Sequence, residues 1–182
     1  MKFTLLLIFE IINLSYSINS EEEKIWTFFI KEMDLTEEGA ASLMGNLYAQ
    51  SGLKSEYYDI ADHPRLGLTL SEYIEKVNSG QYSRFREDNV GFGLANWKDK
   101  TRKQGLIFNC HGRIGDLDCQ LTYIHEELLF KHKNLYEHLK SSNNIMSCTY
   151  GVMQDYLSNI KYEELDNRSK FARGYYKLYA KK

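Results

Sequence analysis

The chain has 182 residues, 43% of them hydrophobic and 14% aromatic, and its 23 lysines and arginines are nearly balanced by 25 aspartates and glutamates. This size and apolar content suffice for one globular domain with a full core, and the formal net charge of −2 excludes a generally basic nucleic-acid binder. No internal repeat and no linker rich in proline, glycine or serine divides the chain, so we predict one domain behind the amino-terminal segment.

The first residues are typical of a secretory signal peptide. A short basic start precedes an apolar run over residues 3–12, which only Glu10 interrupts, and Ser15-Tyr16-Ser17 offers small residues for cleavage. The run is shorter than the roughly 20 apolar residues that a membrane-spanning helix needs, so a retained anchor is the less favoured alternative. We therefore predict a signal peptide over residues 1–20 and a domain over residues 21–182. The mature protein is expected outside the cell or in the lumen of the secretory or vacuolar pathway, without stable membrane insertion.

Helical spacing dominates the rest of the chain, with apolar residues recurring every three or four positions. Thr36 can cap the second helix, and Gly52 can end it, because glycine readily adopts the left-handed conformation that closes a helix. Gln50 is therefore expected in the last turn of that helix. The predicted helices cover residues 20–30, 36–52, 70–77, 98–109, 116–130, 147–157 and 166–179.

Two segments lack a helical period. Residues 53–68 contain the only proline, Pro64, and are predicted to form a loop over one face of the domain. The aromatic, glycine-punctuated stretch over residues 82–94 is typical of a small β-hairpin or an irregular ribbon. The predicted fold class is therefore mainly α (α+β), a helical domain with a small β-hairpin element.

Three cysteines, an odd number for a secreted chain, allow at most one intramolecular disulfide. A bond between Cys110 and Cys148 is conceivable, because Cys119 falls inside a predicted helix. Buried free thiols are an equally good alternative, since spacing does not fix connectivity. No cysteine or histidine spacing is typical of a metal site, and no phosphate-binding or dinucleotide motif is present, so we expect neither a metal nor a cofactor.

Two segments resemble the phage tail lysozyme family: the segment from Met44 to Leu53, which reads MGNLYAQSGL, and the segment from Gly91 to Trp97, which reads GFGLANW. The likeness continues through residues 66–69, 102–104 and 115–121 and reaches Tyr175, so it covers nearly the whole mature chain. Each piece alone is common, but their order and spacing together are specific. The resemblance implies a lysozyme-like fold and the glycan strand of bacterial peptidoglycan as the partner.

Gln50 stands where the resemblance calls for a glutamate that protonates the glycosidic oxygen. A carboxamide has no ionisable proton, so Gln50 can hydrogen-bond to a sugar without acting as a general acid. Leu157 likewise replaces a glutamate of the family pattern, and Asn96 replaces a glutamine before the tryptophan. Binding of the glycan can therefore survive where hydrolysis does not.

The resemblance places a saccharide cleft around these motifs. Ser51 would orient the residue at position 50, Gly93 would permit close approach of the sugar, and Trp97 would lie flat on a sugar ring. Two alternatives remain open, namely that Trp97 fills the core and that Gln50 is an ordinary polar residue at a helix end. The predicted site comprises Gln50 at the acid position and Asn46, Ser51, Gly93, Asn96 and Trp97 as substrate-binding residues.

Other acids could reach the cleft, although the sequence selects none of them. An exposed carboxylate keeps a pKa of about 4 and is a poor proton donor at pH 7. The sequence thus leaves two functions open: a monomeric lysozyme-like enzyme or binder of peptidoglycan, and an inactive saccharide-binding or interaction protein that retains the fold. The candidate substitute acids are Glu56, Asp59, Asp62, Glu87 and Asp88.

Overall fold

A computed structural model describes residues 20–59, 61, 66–158 and 160–180. Residues 1–19 of the predicted signal peptide lie outside the described residues, as do Asp62 and Pro64. The described residues form eight α-helices, so the predicted mainly α fold class is confirmed. They are α1 (Ser20–Lys31), α2 (Glu37–Ser51), α3 (Leu70–Asn78), α4 (Lys100–Cys110), α5 (Leu117–Lys131), α6 (Lys133–Ser141), α7 (Ile145–Gly151) and α8 (Leu165–Tyr179). Two 3-10 helices span Ser83–Arg86 and Tyr162–Glu164, and a π-helix spans Val152–Leu157.

Helix α2 runs through the core and contacts α1, α6, α7, α8 and the π-helix. Its ends agree with the prediction. The Thr36 side chain accepts a hydrogen bond from the Gly39 backbone N–H at 3.0 Å, and Gly52 closes the helix in the left-handed conformation at φ 65°. Gln50 therefore lies in the last turn, where its side chain is partly exposed.

Gly45 lets α8 pack closely against α2. A Cβ at this position would lie 2.5 Å from the backbone nitrogen of Ala172, which is too close for any real contact. A glycine inside a helix lowers stability relative to alanine, and the close approach of the two helices accounts for its presence here. Close helix packing thus explains Gly45 without a role in binding.

We expect Gly45→Ala to destabilise the fold by about 1–3 kcal/mol, because the two helix backbones must separate. Gly174→Ala is the matched control, since a Cβ at Gly174 in α8 meets nothing within 4 Å. That substitution should stabilise the fold by about 0.5–1 kcal/mol through helix propensity. Denaturant unfolding of both variants measures the difference. Equal effects of the two substitutions would contradict the packing role of Gly45.

The predicted β-hairpin is not formed by regular strands. The described residues contain two isolated antiparallel bridges, Tyr58 with Phe92 and Phe92 with Trp97. The backbones of Phe92 and Trp97 exchange two hydrogen bonds, of 3.2 and 2.8 Å, around the turn that contains Gly93 and Asn96. Both turn residues have positive φ, 72° for Gly93 and 51° for Asn96, which prevents extended pairing beyond this point. The irregular ribbon is the alternative that describes this segment.

Cys110 is bonded to Cys119, so the suggested bond between Cys110 and Cys148 is wrong. Helix α4 ends at Cys110, and positive φ at His111 and Gly112 reverses the chain, so that the first turn of α5 returns beside it. The two Cα atoms are 5.4 Å apart. Cys148 is a buried free thiol whose pKa is raised by burial.

None of the described helices is long and apolar enough to cross a membrane.

Candidate functional site

A cleft of about 600 Å³ opens beside the last turn of α2. Its walls come from four parts of the chain: the end of α2, the segment that leads from the Phe92 turn into α4, the junction of α5 and α6, and the end of the π-helix with the residues after it. Gln50 and Leu157 both line the cleft. The two positions at which the sequence lacks an expected glutamate are therefore brought together across one opening.

Gln50 also borders a second cavity of about 500 Å³, whose lining includes Tyr57, Glu56 and Ser51. Its carboxamide makes no hydrogen bond to any residue that the structure describes, and the side chain is partly exposed. Gln50 is thus not buried in the packed interior. The side chain is placed where it can meet a ligand from either cavity.

Glu127 of α5 is a buried carboxylate beneath the cleft. It connects Trp97, Arg102 and Tyr156, and these residues together form the floor of the cleft. It accepts hydrogen bonds from Arg102 Nε at 2.9 Å and Nη2 at 2.7 Å, from Trp97 Nε1 at 3.0 Å and from the Tyr156 hydroxyl at 3.0 Å. Burial by itself would raise the pKa of Glu127, but the hydrogen bonds and charge of Arg102, aided by the bonds from Trp97 and Tyr156, lower it. Glu127 is therefore an ionised structural group and not a proton donor.

Trp97 lies in the core beneath the cleft. Its side chain is 0% exposed, and its ring packs on Tyr123 at 5.3 Å between centroids. Its indole N–H donates a hydrogen bond to the Glu127 carboxylate. No face of the ring is open to a sugar. The predicted stacking role is therefore corrected, and the core alternative describes this residue.

Three other predicted site residues are also buried and act as supports. Asn46 donates its side-chain amide to the carbonyls of Ser42 and Thr149, at 3.0 and 3.2 Å. The Ser51 hydroxyl donates to the Leu94 carbonyl at 2.8 Å, which ties the end of α2 to the Phe92 turn, so it does not orient Gln50. A Cβ at Gly93 would lie 2.7 Å from the Gln120 side chain, so this glycine permits internal packing instead of the approach of a sugar.

Asn96 is the predicted binding residue that does line the cleft. Its carboxamide lies against Gly91, in the space that any Cβ at position 91 would fill. The Oδ1 atom is buried and has no hydrogen-bond partner among the described residues. Gly91 and the left-handed backbone of Asn96 thus fix the amide at the edge of the cleft.

A model of the phage tail lysozyme family matches residues 20–179 of the chain. The chain belongs to the phage tail lysozyme family. Neither a curated protein nor a solved structure matches it. Membership carries a lysozyme-like, peptidoglycan-related function, in agreement with the resemblance of the two sequence motifs.

In this phage tail lysozyme domain, none of the four described candidates for a substitute acid lines the cleft. Asp59 forms an ion pair with Lys98 at 2.6 Å, and Glu56 lines the second cavity. Glu87 accepts a hydrogen bond from Lys100, and this bond together with the lysine charge lowers the pKa of Glu87. Asp59 and Glu87 are thus paired with lysines and Glu56 faces the second cavity, so none of the three is placed as a proton donor in the cleft.

Asp88, the fourth candidate, is buried in a separate network of the same lysozyme domain. It pairs with Lys103 and accepts a hydrogen bond from the Tyr73 hydroxyl at 2.7 Å. Burial, followed by the charge of Asp88, raises the pKa of that tyrosine far above its ordinary value. Asp88 therefore stabilises the core around the ribbon.

Asp99 supplies the one carboxylate among the described residues that line the cleft. The sequence did not single it out. Its side chain caps α4 by accepting the backbone N–H groups of Thr101 at 2.8 Å and Arg102 at 3.0 Å. These bonds use the carboxylate as an acceptor, so Asp99 positions the helix that carries Arg102.

His132, at the junction of α5 and α6, also lines the cleft. Burial and then the charge of Arg102 lower the pKa of His132, so the imidazole is neutral at pH 7. The spacing of residues in the sequence does not reveal this placement, because it depends on the junction with α6, a helix outside the predicted set. A neutral imidazole can bond to a sugar hydroxyl but is a poor proton donor.

Proposed function

We propose that this protein binds the glycan strand of bacterial peptidoglycan in the Gln50 cleft as a monomer and does not hydrolyse it. The observation that carries the proposal is the free carboxamide of Gln50, which lines the cleft at the position where the family resemblance calls for an acid. An amide can donate and accept hydrogen bonds with sugar hydroxyl and acetamido groups. It has no proton to give to a departing glycosidic oxygen.

The mixed chemistry of the cleft supports a saccharide as the ligand. Asn96 and Lys98 provide polar groups on one wall, while Ala95, Leu157 and Ile160 provide apolar surface. Sugar rings with acetamido groups carry both hydrogen-bonding and apolar faces, so they suit such a surface. Proton donation is disfavoured because Asp99 is used as a helix cap and His132 is neutral.

We further propose that the protein acts outside the cytosol. The amino-terminal sequence has the features of a cleaved signal peptide. The disulfide between Cys110 and Cys119 agrees with an oxidising compartment, because such bonds are rare in the reducing cytosol. Amino-terminal sequencing of the mature protein checks this proposal, and a chain that still starts at Met1 would contradict it.

The test of function is co-sedimentation of the purified protein with intact peptidoglycan sacculi, together with an assay for newly released reducing ends. We expect sedimentation without release. Leu157→Trp places a bulky indole in the cleft and should weaken sedimentation at least about tenfold, since a ligand that no longer fits the opening loses most of its contacts. Leu178→Trp is the matched control, because Leu178 is exposed on α8 and does not line the cleft.

Two outcomes would overturn the proposal of binding without hydrolysis, and a third would overturn the position of the site. One is a parent protein that stays in the supernatant with sacculi, which would leave a fold without a glycan ligand. The other is release of reducing ends by the parent at a rate comparable with an active lysozyme. Equal sedimentation of both tryptophan variants would show that the glycan binds outside the Gln50 cleft.

A further inference from the structure

Ser158 has a backbone conformation that residues other than glycine rarely adopt. Its φ is 56° and its ψ is 153°, outside the left-handed helical region and in the region that is essentially restricted to glycine. It directly follows the π-helix Val152–Leu157. Such π-helical segments are rare in proteins, and those that occur often lie at functional sites. Strain of this kind persists only where the surrounding structure imposes it.

Tyr156, two residues before Ser158 in the cleft wall, is held in place by several contacts. Tyr156 is buried, its hydroxyl is bonded to Glu127 at 3.0 Å, and its carbonyl accepts a bond from Arg102 Nη1 at 3.3 Å. The Arg102 guanidinium also lies over the Tyr156 ring at 4.6 Å. The end of the π-helix is thus fixed on both its side chain and its backbone, so the chain enters Ser158 from an anchored position.

The Ser158 side chain is exposed in the cleft. Its hydroxyl has no hydrogen-bond partner among the residues that the structure describes. Leu157 beside it and Gln50 line the same opening. A strained serine would be an unfavourable choice for a simple turn, because glycine would adopt this conformation without the penalty.

We propose that Ser158 is a sugar-binding residue whose hydroxyl hydrogen-bonds to the glycan strand, and that the strained backbone is retained because it places this hydroxyl in the cleft. The inference rests on the proposed function and adds a contact from the wall that carries Leu157. A hydroxyl can donate and accept at once, which suits the hydroxyl and ring oxygens of a saccharide.

Two substitutions separate the hydroxyl from the strain. Ser158→Gly removes both, so we expect a melting temperature higher by about 2–4 °C and sacculus binding weaker by about threefold to tenfold. Ser158→Ala removes only the hydroxyl, so we expect the same loss of binding with no gain in melting temperature. Asn89→Gly is the control, because Asn89 also has positive φ (57°) but does not line the cleft. Asparagine tolerates that conformation, so this variant should change neither property by a comparable amount.

Unchanged sacculus binding in both Ser158 variants would overturn the inference while leaving the proposed function intact, provided that the parent sediments. A melting temperature that does not rise in Ser158→Gly would overturn the role of strain. A parent that fails to sediment at all would remove the proposed function and this contact together. The three results are distinguishable in one series of measurements on the full mature protein.

Discussion

Gln50→Glu is expected to convert a protein that holds a glycan strand into one that slowly cuts it. A positioned general acid contributes about 10²–10⁴-fold to the rate of such reactions, and the parent lacks one at this position. Leu157, Ala95 and Ile160 provide apolar surroundings in the cleft, which raise the pKa of a carboxyl group there, whereas the positive charges of Lys98 and Arg102 in the same lining act in the opposite direction. Release of reducing ends from sacculi measures the gain.

The double variant Gln50→Glu/Leu157→Glu is expected to be more active than the single one. Both positions line the same cleft, and glycosidases use two carboxyl groups that flank the scissile bond. A second carboxylate also disfavours ionisation of the first, so it raises the pKa of the acid. Gln81→Glu serves as the control, because it makes the same change of side chain at an exposed position outside the cleft.

The outcome that would contradict this account is hydrolysis by the parent at the rate of the Gln50→Glu variant. Activity would then come from another group, and the amide at position 50 would not be the reason for any limit on turnover. If neither variant cuts although both still sediment with sacculi, position 50 is a binding position only.

Removing the charge of Glu127 is expected to have the largest effect on stability. Glu127→Gln leaves the Arg102 guanidinium under the cleft without its counter-ion, and breaking one half of a buried ion pair costs about 3–5 kcal/mol. It also weakens the bonds from Trp97 and Tyr156, so three contacts in the floor of the cleft are weakened at once. For a domain of this size the melting temperature should fall by roughly 10 °C.

Glu126→Gln is the matched control for this prediction, since Glu126 is the neighbouring glutamate on α5 and is partly exposed. We expect a change in the free energy of unfolding within about 0.5 kcal/mol. Thermal unfolding followed by circular dichroism compares the two variants, and sacculus sedimentation follows the cleft. Similar melting temperatures for both would show that Glu127 is not what organises the floor.

Local signals in the sequence were enough to predict most helices. The cap at Thr36, the stop at Gly52 and the three-to-four spacing of apolar residues are properties of neighbouring residues, so they can be seen without a structure. Helix α6 was missed, because it has nine residues and a mostly polar sequence in which only a short apolar face, with Leu135 and Leu139, is buried. The disulfide partner of Cys110 was also mispredicted, since it depends on a chain reversal at His111 and Gly112.

The candidate site could be predicted only in part, for a different physical reason. Motif spacing drew attention to the correct segments, but it does not say which side of a turn is buried. Gln50 and Asn96 line the cleft, whereas Asn46, Ser51 and Trp97 lie beneath it and bond to the interior. The groups that complete the cleft come from distant parts of the chain and became recognisable only when the helices were packed together.

Each wall of the cleft is built from a pair of consecutive residues with divided duties. One member is partly exposed to the ligand, and its neighbour is locked into the interior. The pairs are Gln50 with Ser51, Asn96 with Trp97, and Leu157 with Tyr156. The buried member of each pair makes the contacts that stabilise the fold. The exposed member can therefore be substituted by a residue of different chemistry while the backbone around the cleft keeps its position. An acid at an exposed cleft position can therefore be replaced by an amide, or an amide by an acid, without a change in the shape of the binding surface.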